Sequence, residues 1–333
     1  MVEITLRKRK SPVLTPSSLP CLRHVATLNV TEGCALGCKY CYIQGYSHYP
    51  GAERVILYEN LPELVAAELQ RKRSKPRRVY FNPSSDAFQY PPQIQGVSLR
   101  TMRVLLEVGV EVAFLTKGFV RRPFLELFAD HADAVFAQIG ITTLDRGLCR
   151  AIEPRTAPPE MRIATIDALT RMGVHTTARL DPLIPDVTDA DDSVLPLLRA
   201  LAKAGVRGAA ASYLFVRSPF VRQVTSTLAT VAPGAPSPAS WATQTFAEGA
   251  GGGRMIGLDE RSRRFARLQA LGCSAGVRIR PCRCKNPELT DEPCAIAGPA
   301  GRVAQDRSNQ GEFDFTSGTP QHRSRRKRPS RNK

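Results

Sequence analysis

Six times between Val25 and Phe215, a short strand-like run is followed by a segment with the period of a helix. The predicted strands are Val25 to Val30, Arg78 to Asn82, Val110 to Thr116, Ala134 to Thr142, Val174 to Leu180 and Val206 to Phe215. Between them, Leu57, Leu61, Leu64, Val65 and Leu69 recur at the spacing of one helix face. Further helices are predicted from Ser98 and Ser193, both N-cap residue types, and over Pro123 to Ala129 and Glu160 to Met172; Gly173 and Gly205 act as stops. Strands that alternate with helices pair in parallel through right-handed crossovers. Repetition of that unit predicts a TIM-like barrel, and six units rather than eight predict an open one, a partial (βα)6 barrel. Functional groups in such barrels gather at the C-terminal ends of the strands.

The loop after the first predicted strand carries Cys34, Cys38 and Cys41. The intervals bring three thiolates within reach of one iron–sulfur cube. A [4Fe–4S] cluster normally takes four cysteines, so three leave one iron open to a small molecule. The competing reading is a zinc knuckle, although zinc sites favour paired Cys-x2-4-Cys units supplying four ligands.

With Tyr40 directly before the third cysteine, the run resembles the signature of the radical S-adenosylmethionine (SAM) superfamily. From about Ala26 to Phe215, the motif order is similar to the spore photoproduct lyase-like branch, whose members are often labelled DNA repair photolyases. The matching stretches are Leu28 to Cys34, Cys38 to Tyr42, Pro83 to Asp86, Leu115 to Lys117, Ile139 to Thr143 and Ile152 to Arg155, with the Cys-x-Cys-Lys-Asn-Pro of Cys282 to Pro287. The resemblance implies a radical SAM barrel with a [4Fe–4S] cluster on Cys34, Cys38 and Cys41. Its open iron would chelate SAM, and one-electron cleavage would give a 5′-deoxyadenosyl radical.

On that resemblance, Ser85 and Asp86 sit where the superfamily binds SAM's amino group. Lys117, and less directly Arg155, would pair with the carboxylate. Tyr40 offers a ring edge or backbone to the adenine. The plain alternatives are a turn cap at Asp86 and a solvated loop lysine at Lys117; the position of both at strand ends favours function. Tyr42 matches a tyrosine implicated in hydrogen return and is the catalytic candidate. Two positions depart from the branch. Pro83 stands where those lyases carry a hydrogen-donating cysteine, and Gly140 where they carry a serine.

Cys282, Cys284 and Cys294, with Cys273 upstream, form a second group that reads either as an auxiliary Fe–S cluster or zinc site or as packed thiols. Cys21 and Cys149 read as buried or incidental. Nine cysteines without an export signal argue for metal or redox chemistry in a reducing cytoplasm rather than disulfides. No apolar run reaches the roughly 20 residues that span a bilayer, so no membrane partner is expected.

The net charge of +17 favours a polyanionic partner, nucleic acid first. Part of it lies in Arg71 to Arg78 and part in the tail from His322 to Lys333. The expected organisation is a basic N-terminal segment (1–20), the barrel (21–215), a flexible insertion (216–256), a helix with the Cys-x-Cys extension (257–297) and a disordered basic tail (298–333). Radical chemistry of this kind needs a reductant such as a flavodoxin or ferredoxin. Two rival functions remain at this point: radical SAM modification of a peptide or small metabolite, and non-catalytic zinc-dependent nucleic-acid binding.

Overall fold

The computed structural model describes residues 2–17, 19–245 and 252–292. Seven parallel strands form one sheet: β1 (Ala26–Leu28), β2 (Arg78–Phe81), β3 (Glu111–Thr116), β4 (Val135–Gly140), β5 (His175–Leu183), β6 (Gly208–Tyr213) and β7 (Arg278–Pro281). They pair in sequence order, and Thr15–Pro16 adds an antiparallel strand beside β1. Among the described residues the sheet does not close from β7 back to β1. It is the partial TIM-like barrel that the alternation predicts, with one strand more.

Side chains alternate across each strand. One set, including Val79, Phe81, Val112, Phe114, Ala137, Ile139 and Leu180, joins the main core with the helices. The opposite set, Tyr80 and Ala113 with Leu115 and Phe136, packs against Leu22 in a separate cluster. Phe88 anchors the helix side, its ring 4.7 Å from those of both Phe114 and Phe124. Each such apolar side chain contributes about 1.5–3 kcal/mol when fully buried.

The helices are α1 (Leu61–Arg71), α2 (Pro92–Glu107), α3 (Arg122–Asp130), α4 (Arg146–Ile152), α5 (Pro159–Arg171), α6 (Asp191–Lys203), α7 (Val221–Val231) and α8 (Leu258–Ala275). Several boundaries differ from expectation. α2 starts six residues before Ser98, because Pro92 suits the first helical turn; Ser98 is buried inside it. α6 opens on Asp191 and Asp192, whose charges favour a helix N-terminus, before Ser193 is reached. The unanticipated α4 is capped by Asp145, which accepts a hydrogen bond from the Leu148 N–H.

Leu57 belongs not to a helix but to a strand, Arg54–Tyr58, flanked by Glu3–Arg7 in parallel and Thr31–Glu32 antiparallel. The N-terminal segment is therefore built into a second sheet. The stretch 216–256, expected to be flexible, holds α7 and a three-stranded sheet of Val216–Arg217, Ala242–Thr245 and Gly252–Met255. Val224, Leu228 and Trp241 are buried there, giving the segment an apolar anchor that its small-residue composition conceals. The expected basic tail and Cys294 lie outside the described residues. Among those described, no helix is long and apolar enough to cross a membrane.

Candidate active site

The cysteine loop leaves the C-terminal end of β1 and is pinned from two sides. On the β2 side, Asn82 adopts a left-handed φ of 55°, which asparagine tolerates better than most residues. Its N–H donates to the Leu28 carbonyl at 2.8 Å, and its Oδ1 accepts from the Val30 N–H at 3.2 Å. Deeper in the loop, the Ala35 N–H donates to Gln89 Oε1 at 2.6 Å.

On the other side, the segment following α4 clamps successive residues of the loop. The Ile152 carbonyl accepts from the Lys39 N–H at 2.9 Å, and the Arg155 N–H donates to the Leu36 carbonyl at 3.3 Å. The Tyr40 hydroxyl donates to Glu153 Oε1. Gly37, with φ +66°, lies directly under the Arg155 guanidinium; a Cβ there would come within 2.6 Å of Nη2. The left-handed backbone and the missing side chain are both needed at this point.

Cys34, Cys38 and Cys41 are all free thiols and only partly exposed. Burial raises the pKa of each. Asp86, Cys41 and Cys38 raise Cys34 further, while Lys117 opposes the rise at Cys38 and Cys41. The three sulfurs are thus within electrostatic reach of one another, and two of them, Cys38 and Cys41, of Lys117. Among the described residues, no three His, Cys, Asp or Glu side chains gather as ligands of a single metal ion. A cube differs in that each thiolate holds its own iron, and soft thiolates on a glycine-relieved loop fit such a cluster. Binding would displace the protons that burial otherwise retains.

Glu153 is the hub behind this loop. It is 2% exposed and pairs with Arg162 of α5 at 2.6 Å and with Lys117 Nζ at 2.6 Å. Burial works to raise its pKa, but Arg162 and Lys117 outweigh that and hold it down at about 2. Lys117, one residue past β3, also donates to the Asp181 carbonyl at 2.8 Å and contacts the Tyr40 hydroxyl. Asp181 of β5 is likewise lowered to about 2, as Lys285, Arg179 and Lys117 overcome its burial. Buried carboxylates and cations therefore neutralise one another around the barrel mouth.

Of the residues expected to hold SAM, the structure brings Tyr40 and Lys117 together. Asp86 is 6% exposed, and its carboxylate accepts from the Phe88 N–H, the Thr116 hydroxyl and the Lys117 N–H at 2.7–3.0 Å. It caps its own loop. The Ser85 hydroxyl accepts from Asn82 Nδ2 at 2.8 Å and Thr31 Oγ1 at 3.1 Å. Arg155 lies over Gly37 and pairs with Glu53 at 2.9 Å. The Tyr42 hydroxyl donates to the Pro83 carbonyl at 2.7 Å. Gly140 leaves room for Lys117, whose Cγ would lie 2.7 Å from an added Cβ.

The second cysteine group is rearranged. Cys282, just past β7, accepts from Arg179 Nη2 at 3.1 Å and packs with Ala210, Cys284 and Cys21. Cys21 is therefore a neighbour of this pair rather than incidental. Cys273 sits on the exposed face of α8, because the adjacent Gly272 is the residue pressed against β7. Cys149 is buried, with its sulfur accepting from Arg162 at 3.4 Å. Sequence reasoning missed Glu153, Arg162 and Asp181 as site residues. Glu153 lay in a recognised stretch, but its partners are distant in sequence and only the fold unites them.

The sequence model of the radical SAM superfamily matches residues 28–205, more than half of the chain, and the chain belongs to that superfamily. The superfamily implies a [4Fe–4S] cluster and SAM. An uncharacterized protein of Mycobacterium tuberculosis is 26% identical over 57% of this chain and 59% of its own length. The match thus spans less than two thirds of that relative. The radical SAM Nα-GlyT isomerase of Pseudomonas phage M6 is 23% identical over 52% of this chain and 35% of its own. Among solved structures, a spore photoproduct lyase with bound AdoMet and dinucleoside spore photoproduct superposes with a TM-score of 0.62. It is 15% identical, covering 83% of this chain and 81% of that one, a likeness of fold.

Proposed function

We propose that this chain is a radical SAM enzyme that cleaves SAM reductively and acts on a nucleic acid, in the manner of a DNA repair lyase. The observation that carries the reading is the loop at the end of β1: three free cysteines, with Tyr40 of that loop joined to Lys117 and Glu153. Cys34, Cys38 and Cys41 would hold the cluster, which would supply the one electron that splits SAM into methionine and a 5′-deoxyadenosyl radical.

The chain's own residues supply placement. Lys117 offers positive charge to a carboxylate once its contact with Glu153 is shared, and Arg155 adds charge from the outer side of the loop. Ser85 brings a hydroxyl to the β2 end for an amino group, and Asp86, its carboxylate taken by three protein donors, holds that loop in shape. Tyr40 supports the adenine, and Tyr42, its hydroxyl donating to the Pro83 carbonyl, is the hydrogen donor that the motif matches. Pro83 itself has no hydrogen to return. An acidic reductant such as a flavodoxin or ferredoxin suits a chain of net charge +17.

A nucleic-acid substrate is supported by that charge and by the fold shared with a lyase that binds a dinucleoside. The test is anaerobic incubation of the reconstituted protein with SAM, dithionite and oligonucleotides deuterated at their bases or methyl groups. Deuterium in 5′-deoxyadenosine, or in recovered SAM, is the expected result. Cleavage that never draws deuterium from any oligonucleotide would move the substrate to a peptide or metabolite.

A further inference from the structure

Beside the cysteine loop, walled by residues that precede it and residues that follow it, lies a cavity of about 150 Å³. Arg9, Asn29, Tyr46, His48, Tyr49 and Tyr58 are among its walls; none of the three cysteines, Asp86 or Lys117 is. It is therefore a space apart from the cluster ligands and the buried Lys117–Glu153 pair.

Its walls are ring-rich, with one guanidinium, Arg9, and one carboxylate, Glu32, which Arg7 pairs at 3.1 Å. Tyr46 and His48 sit with ring centroids 5.4 Å apart and planes 33° from parallel, and Tyr42 meets Tyr46 edge-on at 5.7 Å. The Arg9 guanidinium lies 5.1 Å over the Tyr58 ring, and Arg217 lies 6.0 Å over Tyr46. Arg217, from the 216–256 insertion, is not itself among the walls; it donates to the Tyr42 carbonyl at 3.4 Å. Asn29 Oδ1 accepts from the Ser84 N–H at 3.1 Å, which orients the amide, and its NH2 group offers donors to a ligand. A cavity of this size elsewhere admits one benzene-sized ring.

We infer that this cavity is a nucleobase subsite, taking a base next to the one on which the radical acts. The inference rests on the nucleic-acid reading above. Tyr46 and His48 provide stacking faces, Arg9 provides a cationic edge that suits a phosphate-bearing strand, and Asn29 offers a donor to a ring acceptor. Aromatic platforms of this kind bind single strands with little regard to sequence.

The test uses the full reconstituted chain and a labelled single-stranded oligonucleotide, compared by anisotropy with an abasic strand of equal length. The wild type should prefer the base-bearing strand by roughly five- to hundredfold, the range for one stacked base. Tyr46→Ala and His48→Ala should reduce the preference toward unity, Tyr46→Phe should retain it, and abasic-strand binding should stay the same in all. Preference undiminished in both alanine variants would overturn the subsite while leaving the nucleic-acid reading intact. Loss of SAM affinity in place of base preference would assign the cavity to the cofactor and also overturn it. A wild type that binds neither strand would fail the nucleic-acid reading, and the subsite with it.

Discussion

Glu153 and Arg162 form an ion pair at 2.6 Å with both side chains 2% exposed, directly behind the loop that presents the three cysteines. Removing one member of such a pair leaves a buried, uncompensated charge. Glu153→Ala should cost about 3–5 kcal/mol of stability in denaturant titration. The double variant with Arg162→Leu should recover part of that loss. Additive losses would mean that the two charges do not interact as placed.

The same carboxylates set an acid response. Glu153 and Asp181 are both held at about 2, below the roughly 4 of an unfolded Glu or Asp. Their stabilisation is therefore complete above about pH 4.5 and lost as pH falls toward 2, because the unfolded chain binds the protons first. The denaturation midpoint should be level from pH 7 to 5 and fall below about 4.5. Asp181→Asn should make that fall shallower. An unchanged midpoint from pH 5 to 2.5 would contradict the assignment.

Gly37→Ala probes the clamp on the loop. It forces a non-glycine residue into φ +66° and toward Arg155 Nη2, with backbone strain of about 1–3 kcal/mol. Iron retention after anaerobic reconstitution should drop. Adding Arg155→Ala should restore it only partly, since the left-handed backbone remains. Full retention in Gly37→Ala alone would show that the loop tolerates a side chain there.

The basic tail gives a separate prediction. If His322 to Lys333 contacts phosphates, deleting it should weaken non-specific duplex binding. The slope of log affinity against log salt should flatten by about 0.9 for each phosphate that the tail neutralises. Identical slopes would leave the tail without a phosphate role.

The barrel was legible because buried parallel strands read as near-continuous apolar runs, as in Val79 to Phe81 and Val112 to Leu115. At β7 only the short run Val277 to Ile279 reads as a strand, outside the six repeated units, because Arg278 and Arg280 occupy the face opposite Ile279 and break its apolar pattern. The cysteine loop could be placed because its ligands are contiguous in sequence. Lys117, Glu153, Arg162 and Asp181 come from four separate places along the chain, and no local spacing reveals that they meet. Asp86 illustrates the converse: its position was legible, but only the fold revealed the three protein donors that fill its oxygens.

The central claim is that Cys34, Cys38 and Cys41 hold a cluster that cleaves SAM. It is tested most directly by iron content and dithionite-dependent 5′-deoxyadenosine formation, measured anaerobically for the wild type, Cys38→Ala and Cys149→Ala. The account predicts about four irons per chain and SAM cleavage in the wild type. Cys149→Ala, which gives up only a long sulfur hydrogen bond to Arg162, should match it, and cleavage should be abolished in Cys38→Ala. A Cys38→Ala protein that makes 5′-deoxyadenosine at the native rate would contradict it.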